Sequence, residues 1–168
     1  VKLIDITSEE FEREMELHKY VDNERTIELR SKWANRSEIE LALCIYGALR
    51  RLITKYNLKG LTVRCFDLLG KYRNTSCLAL ALLNDEGYIG TCEGDVPSML
   101  TMYIASHLCG GIKTFQANPS RMDIENNRMV FAHCTVPFSM VDDYKLFTHF
   151  ESNLGVAIRG TMPCKEIT

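Results

Sequence analysis

An apolar run, Tyr88-Ile-Gly-Thr-Cys92, ends on Glu93 and Asp95, and the residues from Val96 to Leu108 follow with helical spacing. In open α/β sheets, side chains just past the carboxyl ends of strands line the crevice that takes a ligand. A carboxylate one step beyond a strand can therefore face a metal ion or a substrate. Asp67 and Asn118 follow two further strand-like runs along the same expected edge, while His133 lies in the next β-like run and His149 beyond it. One carboxylate with one or two imidazoles is a ligand set for a divalent cation that leaves positions open for a substrate. Each residue also has a structural reading. Glu93 could be a first-turn acid favoured by the helix dipole, Asp95 an N-cap, and Asp67 a polar strand terminus. His133, flanked by Phe131, Ala132 and Cys134, could be a hydrogen-bonded core histidine, and His149 is open to the same reading.

The elements that must position these groups are legible from periodicity. Thr7 and Glu10 have capping-box spacing and open a charged helix expected to run to about Asn23. Ile39, Ala42, Leu43, Tyr46, Leu49, Ile53 and Tyr56 recur at three- and four-residue steps, which predicts a helix from Ser37 to Tyr56, stopped by Asn57 to Gly60. From Leu61 the pattern alternates: strand Leu61 to Phe66, helix Thr75 to Leu83, strand Tyr88 to Cys92, helix Val96 to Leu108, strand Ile112 to Ala117. That is a βαβαβ order, which implies parallel strands joined by right-handed crossovers. After Pro119 come β-like runs at Arg128 to Thr135 and Leu154 to Met162, joined by a polar stretch through Asp142, Asp143 and Tyr144. The expected fold is α/β, a Rossmann-like parallel βαβαβ sheet preceded by helices. Residues 1–120 would form the α/β segment of a middle domain, and residues 121–168 the start of a β-rich C-terminal element.

The 168 residues, 46% of them hydrophobic, can bury one good core. A net charge of -2, with no basic stripe interleaved with aromatics, argues against nucleic acid as a partner. No run approaches the roughly 18 to 20 apolar residues that span a bilayer, and the N-terminus is too charged for a secretory signal. A cytoplasmic protein without a membrane partner is the expectation. The seven cysteines are scattered and never spaced Cys-x-x-Cys, which argues against a disulfide framework and a structural zinc site. Most should be buried as small hydrophobes. The chain starts at Val1 without Met and ends at Thr168 straight after an expected strand, so it reads as a piece of something longer.

Six motifs occur in order: Leu80-Ala-Leu-Leu-Asn-Asp-Glu-Gly87, Cys92-Glu-Gly-Asp95, Leu100-Thr-Met102, Ala117-Asn-Pro-Ser120, Ala132-His-Cys-Thr135 and His149-Phe-Glu-Ser-Asn-Leu-Gly-Val-Ala-Ile-Arg-Gly160. Together they resemble the L-fucose/L-arabinose isomerase superfamily, most of all its fucose-isomerase-like branch, from about Leu61 to Gly160. The resemblance implies a Mn²⁺-type site that interconverts aldoses and ketoses of a free sugar through an enediol. It also implies homo-oligomers, trimers or hexamers, built around shared active sites. Glu93 falls where the family has its metal-binding, proton-moving acid, and His133 where the arabinose-isomerase branch has a metal-ligating histidine. Asp95 and His149 are expected on the substrate side of the site. Asn118 stands where fucose isomerases place a second metal-binding acid. An amide can offer a metal its carbonyl oxygen but cannot act as a base, so Asp95, Asp123 or Glu125 would have to supply that carboxylate. Asn118 also favours the alternative of a sugar-binding or regulatory relative that has lost catalysis.

Overall fold

The structure, a computed structural model, describes residues 2–20 and 22–163. The N-terminal third is helical: α1 (Ser8–Glu16), α2 (Glu24–Lys32) and α3 (Arg36–Tyr56). Thr7 caps α1 as its sequence predicts, its Oγ1 accepting from the Glu10 N–H at 3.3 Å. The charged helix does not run on to Asn23, however. It ends at Glu16, and Asn23 instead opens α2 through a capping box with Thr26, each side chain accepting from the other's backbone N–H at 2.9 Å. α3 follows the expected periodicity and stops at Asn57, whose φ of 49° is the left-handed turn that ends a helix.

The buried face of α3, with Ile39, Leu43, Tyr46 and Ile53, packs on α5 (Cys77–Glu86) and on α1. α5 is buried from Cys77 to Asn84, as expected of a helix apolar on every side, and forms the centre of the molecule. Gly47 lets the chain cross α3 closely, since a Cβ there would come within 2.0 Å of the Lys19 carbonyl oxygen.

Beside α5 lie two parallel strands, β1 (Gly60–Thr62) and β2 (Ile89–Thr91), in register from Gly60 opposite Ile89 to Thr62 opposite Thr91. The buried side chain of Asn84 locks β2 to α5, accepting from the Gly90 N–H at 2.7 Å and donating to the Gly90 carbonyl at 2.9 Å. The run Leu61 to Phe66 is shorter as a strand than its sequence predicts, because the chain turns at Arg64 into α4 (Cys65–Tyr72). α6 (Val96–Leu108) follows β2 as expected.

Among the described residues the third parallel strand is absent. Ile112 to Ala117 is irregular, and it touches β2's end through a side chain, with Gln116 Oε1 accepting from the Cys92 N–H at 2.8 Å. The chain spends its next strand on an antiparallel hairpin, β3 (Asn118–Asp123) with β4 (Arg128–Ala132). A second antiparallel pair, β5 (Asp143–Phe147) and β6 (Ala157–Thr161), follows a single helical turn at Phe138–Met140, so the stretch read as a polar connection contains a strand. The architecture is thus a mixed α/β fold with a small parallel sheet, flanking helices and separate antiparallel strands. Gly155 enters β6 with φ 66°, pressed so close to Asn74 and Thr75 that a Cβ would sit 2.7 Å from the Thr75 nitrogen. Among the described residues, no helix is long and apolar enough to cross a membrane.

Candidate active site

Past the carboxyl end of β2, the chain reverses in a tight turn in which the Asp95 N–H donates to the Cys92 carbonyl at 3.1 Å. Its two central residues, Glu93 and Gly94, both have left-handed backbones, with φ 65° and 70°. Such turns are dominated by Gly, Asn and Asp, so a glutamate in this one is an outlier, and outliers of this kind gather at functional sites. The turn also removes the first-turn reading of Glu93. α6 begins at Val96 with Asp95 as its N-cap, which leaves Glu93 ahead of the helix altogether.

The Glu93 carboxylate projects to the side, with Oε1 3.8 Å from His133 Nε2. The two groups differ in exposure: the Glu93 side chain is 39% exposed and the His133 side chain 5%. His133 comes from the segment just past β4, one residue beyond Ala132, which pairs with Asn118 across the hairpin. Burial holds the His133 imidazole below its ordinary pKa, with Glu93 pulling the other way and His149 opposing a positive charge. A neutral imidazole is the form that can donate a lone pair to a metal ion. Its Nδ1 faces Thr135 Oγ1 at 3.4 Å and Cys134 Sγ at 3.7 Å.

The other expected residues divide. His149 is buried beside this pair, its Nδ1 3.0 Å from Ser152 Oγ. Asn118 is exposed at the start of β3. Asp95 caps α6, accepting from the Ser98 N–H at 2.8 Å and from its hydroxyl at 2.5 Å, contacts that hold its carboxyl below the usual range. Asp123 is engaged in the hairpin turn, accepting from the Asn126 N–H at 3.2 Å and side-chain amide at 2.9 Å. Asp67 is not at a strand end but in the first turn of α4, 3.1 Å from Arg64.

Next to His133 and His149 lies a group that sequence spacing did not reveal. Cys77 Sγ and Cys134 Sγ are 2.9 Å apart although 57 residues separate them in the chain, and with a His149 nitrogen they form a buried cluster whose ligand atoms all lie within 4.8 Å. These three residues could hold a metal ion. Cys65 and Cys92 form a neighbouring thiol pair, in which hydrogen bonding pulls Cys65 down and pushes Cys92 up. The six cysteines among the described residues are free, and all but Cys109 are buried; Cys164 lies outside the described residues.

The chain is 32% identical over 89 residues to the sulfoquinovose isomerase of Alkalicoccus urumqiensis, a stretch covering 52% of this chain and 20% of that protein. It is 33% identical over 91 residues to the sulfoquinovose isomerase of Clostridium sp. (strain MSTE9), covering 54% of this chain and 20% of the relative. Against the sulfoquinovose isomerase of Priestia aryabhattai the identity is 28% over 87 residues, 51% of this chain and again 20% of the relative. The aligned stretch thus spans one fifth of the length of these curated relatives. No protein-family model matches the chain, and no solved structure matches it significantly. The likeness is to sugar isomerases in general, and its named members differ from the fucose and arabinose isomerases that the motifs resemble.

Proposed function

We propose that this chain is part of a metal-dependent aldose–ketose isomerase acting on a free sugar, with Glu93 as both metal ligand and proton carrier. The observation that carries the reading is the 3.8 Å approach of the Glu93 carboxylate to the His133 imidazole beyond the end of β2. The likeness to isomerases over about half of the chain supports it. One carboxylate oxygen and one imidazole nitrogen at that separation suit a shared divalent cation, since ligands about 2.1 Å from an ion lie roughly 3 to 4 Å from each other. The donor set, hard oxygen with borderline nitrogen, fits Mn²⁺. Glu93 and His133 would hold the ion, with the Asn118 carbonyl oxygen as a further donor. When bound, such an ion acts as a Lewis acid that polarises the sugar's carbonyl and adjacent hydroxyl oxygens.

Glu93 then takes the proton from the carbon beside the carbonyl and returns it to the former carbonyl carbon. The hydroxyl proton passes to the carbonyl oxygen, so the step is redox-neutral within one molecule. The 39% exposure of the Glu93 side chain leaves it reachable by a sugar. His133, kept neutral by burial, orients without competing for the proton. Asp95 is assigned to the sugar's remaining hydroxyls, while His149, whose Nδ1 already meets Ser152 Oγ at 3.0 Å, stays a neighbour of the site. The substrate is a free sugar of the fucose, arabinose or sulfoquinovose type. In the full-length protein, residues 1–120 would belong to a Rossmann-like middle domain and 121–168 to the β-rich part after it, in a cytoplasmic trimer or hexamer.

The test is Glu93→Gln in the full-length protein, assayed on a panel of aldoses and ketoses with Mn²⁺. Turnover should fall by about a thousandfold, within the range that general acid–base catalysis contributes, with unchanged circular dichroism. Retained turnover would refute the assignment.

A second reading, a sugar-binding relative without catalysis, is favoured by the surroundings of Asn118. Two of the carboxylates that could replace it, Asp95 and Asp123, are engaged in local caps. A Mn²⁺ titration separates the two. The enzyme should bind the ion and lose activity to a chelator, whereas the binding protein should take sugar equally well without metal.

A further inference from the structure

We infer that Cys77, Cys134 and His149 form a second metal site, built for a thiophilic cation of the zinc class and separate in chemistry from the hard-ion pair Glu93 and His133. The geometry comes first. Two buried sulfurs 2.9 Å apart, in thiol hydrogen-bond contact, converge on one point. A cation bonded to both would replace the shared hydrogen and hold them roughly 3.8 Å apart, the edge of a tetrahedron with bonds of about 2.3 Å. His149 places a ring nitrogen within 4.8 Å of both sulfurs. Its Nδ1 already meets Ser152 Oγ at 3.0 Å, which leaves Nε2 as the coordinating atom. A hydrogen bond from the second ring nitrogen is the usual way a protein fixes the tautomer of a metal-bound histidine.

The surroundings favour thiolate over thiol once an ion arrives. Cys77 is the first residue of the ten-residue helix α5, where the helix dipole stabilises negative charge. The hydroxyls of Ser76 and Thr75, immediately before it, are buried and make no hydrogen bond. Without an ion, the hydrogen bond with the Cys77 sulfur and burial push the Cys134 thiol up. The preference for metal follows from donor softness: two thiolates and an imidazole select zinc over manganese. The site would also tie the start of α5 to the segment that carries His133, since Cys134 is its next residue.

The experiment is a Co²⁺ titration of the full-length protein, reduced with a non-thiol reductant and read by thiolate-to-cobalt charge-transfer absorption. Only a sulfur-ligated ion produces that absorption, so cobalt bound at Glu93 and His133 stays silent. The absorption should saturate at one equivalent and disappear when zinc is added. It should be lost in Cys77→Ser and in Cys134→Ser, weakened in His149→Ala, and unchanged in Glu93→Gln. Where a cysteine variant fails to fold by circular dichroism, the response of His149→Ala decides. No absorption in the reduced protein, or undiminished absorption in the folded variants, would overturn the assignment. Thiol counting that finds Cys77 joined to Cys134 as a disulfide in protein purified without added oxidant would overturn it too. Because the readout ignores turnover, it stands or falls separately from the isomerase reading.

Discussion

Glu93 is held in a backbone conformation that costs an L-residue with a side chain about 1 to 2 kcal/mol. A glycine would relieve that strain at the expense of some chain entropy, about 0.5 to 1 kcal/mol. Glu93→Gly is therefore expected to raise stability by up to about 1 kcal/mol, read as a higher urea midpoint, while ending any chemistry at the site; Glu93→Ala should bring no such gain. A midpoint that falls in Glu93→Gly would show that the turn is unstrained. The sequence singled out Glu93 because it sits just past a strand-like run and His133 because it lies in a later one, and the fold brings the two side chains within 3.8 Å of each other. The meeting of Cys77 with Cys134 was not legible. Neither lies in a local metal-binding spacing, and only the docking of α5 against the segment after β4 joins them. Gln116 was missed for a related reason: its role is to replace a strand's backbone with a side chain, which no periodicity announces.

At the scale of elements, the sequence was most informative where one periodic pattern met a clear cap. α3 was placed within one residue of its observed start, and its stop at Asn57 opens the expected run Asn57 to Gly60. α2 was overlooked because its nine residues are mostly charged and bury only Thr26 and Leu29. The run Ile112 to Ala117 reads as a strand in the βαβαβ order, yet local sequence cannot say whether a partner strand is free to receive it. What holds β5 to the helices is also a matter of particular side chains. Glu28 of α2 accepts from the Tyr144 hydroxyl at 2.7 Å and pairs with Lys32 at 2.6 Å and Arg25 at 2.9 Å. The hydrogen bonds from Lys32 and Tyr144 hold its pKa below 4.5. A carboxyl depressed in the folded state contributes stability above its unfolded pKa, and that contribution is lost as pH falls from about 4.5 through the lower folded value. The acid limb of the unfolding midpoint against pH should therefore flatten in Glu28→Gln. Because these groups are partly exposed, the change should be small and should shrink further in high salt.

The molecule as a whole presents one unusual surface. The β3–β4 hairpin stands away from the core, and Met122, Ile124, Met129, Val130 and Phe131 are about half exposed or more on it. Exposed apolar side chains on a hairpin with free edges promote association. Sedimentation of the 168-residue chain should show concentration-dependent self-association, and the triple change Ile124→Ser, Met129→Ser and Phe131→Ser should suppress it with no loss of helix signal. Equal association by the variant would clear the hairpin of that role.

The contact at Gly155 carries a consequence for how the chain acquires its shape. Because a hydrogen is all that fits between this position and Asn74-Thr75, the late strand arm and the start of the central helix mate like key and keyhole. The Leu78 N–H then donates to the Val156 carbonyl at 3.2 Å, so the first turn of that helix is completed by residues nearly eighty positions downstream. The helix that organises the interior is thus fastened at its first turn to the last strand arm, and a side chain added at position 155 would pry the two apart.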